Sequence, residues 1–91
     1  MSKIIYKYPL EIKTWQSLNL PKGYEILTIQ IQRGIPQLWA MVDPSKEVEI
    51  ATIEFIGTGQ PITDECDRKY INTIQSYDGL VWHVFKNLSI I

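Results

Sequence analysis

The residues most open to a chemical reading lie in Phe55–Ile62, FIGTGQPI, where a strand-like run breaks into two glycines flanking Thr58. Glycine-rich turns hold phosphates when a lysine and a hydroxyl residue follow and a helix presents its N-terminus to the anion. Here Gln60, Pro61 and Ile62 follow instead, and the dinucleotide fingerprint lacks both its third glycine and a crossover helix. Downstream, Asp64, Glu65 and Asp67 would repel a phosphate unless Arg68 and Lys69 turn inward. Two readings stay open. In the simpler one, Gly57 and Gly59 supply positive φ values at a strand end; in the other, the Thr58 hydroxyl and Gln60 carboxamide also contact a ligand.

His83 is the single histidine, set between Trp82 and Val84, and Cys66 is the single cysteine. A metal centre would need further ligands from scattered carboxylates, so no metal or cofactor is expected. Cys66 has no partner for an internal disulfide, which fits a reducing cytoplasm. Glu49 and Glu54 are a candidate acid/base pair by residue type, but five residues of separation put them on opposite faces of a regular strand. With no nucleophile elbow or zinc-hydrolase motif, the expectation is a protein that is not an enzyme.

Three Trp and five Tyr in 91 residues are rings of the kind that single-strand binders stack on bases. The cations that should accompany them are spread thinly along the chain, so core packing is the preferred role for most of these rings. A formal net charge of −1 gives no global positive field, which argues against duplex nucleic acid or an anionic membrane as partner. No window has the apolar length of a membrane span, and Lys7 and Pro9 fall where an export signal needs apolar residues.

The elements that must position these residues are read from period. In Tyr24–Gln32, Leu27, Ile29 and Ile31 alternate with Thr28, Gln30 and Gln32, the pattern of a strand with one buried face. A turn near Arg33–Pro36 leads to QLWAMVD, apolar on both faces and so central in its sheet. Val48–Ile56 is rich in β-branched residues, and Asp78-Gly79 marks a hairpin between two further strands. KIIYKYPLEI adds an edge strand, since Pro9 cannot donate to a ladder. Thr14–Leu20 and Asp64–Tyr70 are the two short helix candidates. The expectation for 1–91 is one all-β domain, or a β-rich one with one or two short helices: an antiparallel sandwich or barrel of about six strands. Apolar surface beyond what so small a core needs, including the tail NLSII, suggests a homo-oligomer.

KYPLEI, LPKGYEILTIQIQRGIPQLWAMVDP, GTGQPI and HVF together resemble a family of short phage and prophage proteins with no established activity. The likeness spans nearly the whole chain. Members often carry histidine where this chain has Gln60, so no scheme needing an ionisable group there carries over. The resemblance implies a counter-defence factor in the host cytoplasm, a homo-oligomer that sequesters a small nucleotide immune signal. Residues offered for that ligand are Arg33 and Arg68 for phosphate, Trp39 and Tyr70 for a base, and Gly57, Thr58, Gly59 and Gln60 for hydrogen bonds. The alternative is an accessory or inhibitory protein that binds a host or phage polypeptide. A small nucleotide hydrolase ranks last.

Overall fold

The computed structural model describes residues 2–89. Seven strands follow one another: β1 (Ile4–Pro9), β2 (Trp15–Pro21), β3 (Glu25–Gln32), β4 (Ile35–Val42), β5 (Val48–Gly57), β6 (Arg68–Gln75) and β7 (Val81–Asn87). All pairings are antiparallel, in a three-stranded sheet ordered β1-β4-β3 and a four-stranded sheet ordered β2-β5-β7-β6. The fold is therefore all-β. Ile29, Leu38, Ala40 and Val42 from the first sheet meet Ile53, Phe55, Ile74 and Val84 from the second in one core. The molecule is only 15 Å through its thin direction, as two layers require.

The β3–β4 hairpin turns through Arg33 and Gly34 at φ 52° and 81°, two consecutive left-handed residues whose twist matches the flanking strands. Pro36 already belongs to β4. Its carbonyl accepts from the Leu10 amide at 2.9 Å, so the N–H it lacks would have faced β1 beyond that strand's last pair. β4 is central and β1 lies at an edge, as the sequence suggests.

Four expectations are corrected. Thr14–Leu20 is not a helix: Trp15 to Pro21 run in register with Glu54 to Val48, and the Thr14 carbonyl accepts from Phe55 N at 3.2 Å instead of starting a helix. Asp64–Tyr70 is not one either, since Asp64–Cys66 form bends and β6 begins at Arg68. The seventh strand is thus β2. A bulge at Leu27 shifts β3 by one residue, so Ile26, Ile29 and Ile31 face inward while Leu27 turns out to solvent at 42% exposure. Most aromatics are not core residues: Phe55 is buried and Tyr8, Tyr24 and Trp82 pack against the core, whereas Tyr6, Trp15, Tyr70 and Tyr77 are exposed. Of the NLSII tail, Ile90 and Ile91 lie outside the described residues.

Edge strands β3 and β6 lie side by side but do not pair as strands. Asn72 joins them. Its carboxamide oxygen accepts from Ile29 N at 2.9 Å and its nitrogen donates to Ile29 O at 2.7 Å, so one side chain stands in for a rung of ladder. Replacing Asn72 by Ala leaves both Ile29 groups without partners in a part-buried setting, and about 2–3 kcal/mol of stability should be lost in urea unfolding.

At the other hairpin, the Asp78 carboxylate accepts from the Ser76 hydroxyl and the Leu80 amide. Those bonds hold its pKa below the usual aspartate value. The folded carboxyl is the more acidic one, so its contribution is present above the unfolded carboxylate range and is lost as pH falls through the lower folded value. Protection factors at Gly79–Val81, exchange rates corrected for their intrinsic pH dependence, should fall on acidification through the lower folded value, and D78N should abolish that fall.

Candidate functional site

The outer face of the four-stranded sheet carries most of its polar groups. Cross-strand register sets His83 opposite Ile56 on one side and Thr73 on the other, and Glu54 opposite Phe85. His83 Nε2 lies 2.9 Å from Thr58 Oγ1 and Nδ1 lies 3.1 Å from Thr73 Oγ1, which in turn is 2.6 Å from Tyr70 OH. The neutral ring donates from one nitrogen and accepts at the other, and rotation of the hydroxyls satisfies either tautomer. No carboxylate orients the imidazole in this chain of contacts, so it has the form of a satisfied network more than of a nucleophile and its base.

Beside it, Arg68 Nε donates to Glu54 Oε1 at 2.8 Å, with both side chains about seven-eighths buried. Its Nη1 donates to the Thr63 carbonyl at 2.7 Å, and Asn87 Nδ2 approaches Glu54 Oε1 at 3.3 Å and Cys66 Sγ at 3.5 Å. The hydrogen bond and charge of Glu54 raise the guanidinium pKa further, against the opposing effect of burial. Arg68 therefore tethers the β5–β6 connection to the sheet, and its charge is already matched. Cys66 is a half-buried free thiol.

Gly57 and Gly59 play different parts. Gly59 has φ 91° at the third position of a turn closed by Gln60 N donating to Gly57 O at 3.1 Å. Gly57 is an ordinary strand residue, contrary to the expectation of positive φ; a Cβ there would meet Gln60 Oε1 at 3.1 Å and the Trp82 ring at 3.4 Å. Gln60 folds its carboxamide oxygen back onto the Gly57 amide, so that oxygen is committed to the turn.

The eight residues offered for a ligand thus fall into separate regions. Trp39 lies on the outer face of the three-stranded sheet, Arg33 at the tip of the β3–β4 hairpin, and Thr58, Arg68 and Tyr70 on the opposite outer face. Of these, only Tyr70 reaches the cleft described next.

That cleft, of about 220 Å³, opens between the starts of β3 and β6 and is lined by Tyr24, Glu25, Ile26, Lys69, Tyr70 and Lys86 among others. Lys69 and Lys86 are direct cross-strand partners. Like charges set opposite one another repel, and among the described residues neither lysine lies in a salt bridge. Lys86 Nζ rests 4.6 Å from the Tyr24 ring centroid, a cation–π contact in place of a carboxylate. This pair is what the sequence reading missed. Lys86 would face Tyr70 if the register of Asn72 and Val84 ran on unbroken; the bulge at Ile71 brings Lys69 there instead.

A broader hollow of about 750 Å³ follows the β1–β2 connection, but Lys13, its cation, is paired with Glu11 at 3.2 Å. Among the described residues no group of histidine, cysteine and carboxylates has the arrangement of a metal site, and no helix is long and apolar enough to cross a membrane.

The tethering role of Arg68 makes a double-mutant test. R68A or E54Q alone leaves a largely buried charge unpaired and should cost about 2–4 kcal/mol in chemical denaturation, whereas E54L/R68M should cost less than either single change.

Comparison with curated proteins gives no significant match, and comparison with solved structures gives none. A family defined as a domain of unknown function, DUF7352, matches residues 1–89. With the match covering nearly every residue, the chain belongs to the DUF7352 family.

Proposed function

We propose that this domain binds a small anionic ligand of nucleotide type in the cleft between β3 and β6 and holds it without turning it over. The observation that carries the reading is the Lys69–Lys86 pair, two unmatched cations facing each other at the mouth of an aromatic-walled cleft. A phosphate between the two ammonium groups replaces their repulsion by two charge-assisted contacts. Tyr24 and Tyr70 offer flat surfaces for a base. Nothing in the cleft resembles a nucleophile with its base, which favours sequestration over hydrolysis.

In the setting that the phage resemblance implies, the ligand is a signal nucleotide of bacterial immunity, and the protein lowers its free concentration in the host cytoplasm. A second reading, docking to a host or phage polypeptide, draws on the free sheet edges β1 and β2, near which Ile4, Ile5 and Trp15 are exposed.

Calorimetric titration with cyclic dinucleotides, cyclic ADP-ribose isomers and inorganic pyrophosphate tests the proposal. Binding should weaken as salt rises, K69A and K86A should each lower affinity about tenfold, and K13A, in the β1–β2 connection away from the cleft, should leave it unchanged. Chromatography of the released ligand should return it intact. A panel without any binding, or binding indifferent to both lysines, would sink the reading.

A further inference from the structure

β4 is a strand built to be covered on both sides. Leu38, Ala40 and Val42 point into the core and are fully buried, while Trp39 and Met41 project from the outer face of the three-stranded sheet and are only half-buried. Register completes that face. Trp39 stands between Lys7 on β1 and Thr28 on β3; Met41 stands between Ile5 and Glu25. The bulge adds Leu27 to the same side, where Ile5, Leu27, Thr28, Gln30 and Trp39 line a shallow hollow of about 370 Å³. Ile5 is 54% and Leu27 42% exposed. In the Trp39 and Met41 rows the patch carries one lysine, Lys7, and one carboxylate, Glu25, at diagonally opposite corners; Lys3 and Asp43 offset one another in the row beyond.

We infer that this face is a two-fold interface between two copies of the chain. Charge placement is what selects a second copy over another partner. In a face-to-face pair related by a two-fold axis lying in the interface, positions on opposite sides of that axis exchange. An axis running between Lys7 and Glu25 brings Lys7 of each copy onto Glu25 of the partner subunit, twice over, around a centre of Trp39, Met41, Ile5 and Leu27. Both charges are free to do so. Glu25 lies in none of the salt bridges among the described residues, and Lys7 donates only to the neutral carbonyl of Gln32, at 2.6 Å.

That Lys7–Gln32 bond runs from the Trp39 row to the Ile35 row and so spans Gln37, which lies between them on the same face. Gln37 is 8% exposed and its Oε1 has no hydrogen-bond partner. Association exchanges the neutral acceptor of Lys7 for a charged one.

Sedimentation equilibrium without any ligand tests the interface by charge exchange. The wild-type chain should be a dimer at micromolar concentration. K7E and E25K, each folded by circular dichroism, should raise the dimer dissociation constant at least tenfold, because each sets like charges together twice. K7E/E25K, with the charges swapped, should restore it to within a few-fold of wild type. A wild-type monomer at 100 micromolar, a dimer indifferent to both reversals, or a double variant no better than the singles overturns the inference.

Discussion

The two sheets are held at one margin by a single side chain. Asn72 accepts from and donates to the backbone of Ile29, and so satisfies the outward groups of an edge strand that has no strand neighbour on that side. What remains free is the far margin of each sheet, β1 and β2. The same contact sets the opening of the Lys69–Lys86 cleft, whose walls are the residues just before Asn72 on β6 and just before Ile29 on β3. Both walls carry a bulge, at Ile71 and Leu27, that changes which side chains face it.

A second constraint acts on the long β5–β6 connection. It carries Asp64, Glu65 and Asp67, and among the described residues these make no salt bridge. Arg68 ties the segment down through the Thr63 carbonyl and through Glu54, while the Asp67 amide donates to Ser89 Oγ at 3.0 Å and its carbonyl accepts from Leu88 N at 2.8 Å. The guanidinium is therefore internal support for the acidic loop. That leaves Lys69, next in sequence and on the other face of the strand, as the cation available to solvent.

Much of this was legible in the residues. β4 reads as a central strand because it is apolar on both faces, and Asp78-Gly79 marks the β6–β7 hairpin, with Gly79 at φ 87°. The β2 strand was also written in the sequence: Leu18 and Leu20 alternate with Ser17 and Asn19. Thr14 nonetheless resembled a helix cap, because a cap signal is local, while the partner that makes the segment a strand is β5, far along the chain. The separate duties of Gly57 and Gly59 follow from the same distinction. Gly59 answers a local need for positive φ, whereas Gly57 is required by the approach of Gln60 and Trp82.

By itself, the sequence determined the antiparallel all-β class, both hairpin turns and the edge position of the Pro9 strand, since period, turn residues and a missing N–H act over a few neighbours. It also set a formal net charge of −1. The tertiary structure alone decided which charges are matched. Arg68 meets Glu54 across the four-stranded sheet and Lys69 meets Lys86 instead, because one bulged residue at Ile71 shifts the ladder by a single position. Such a shift changes every cross-strand partner beyond it, and a bulge is chosen by how both strands pack, which no short stretch of residues encodes.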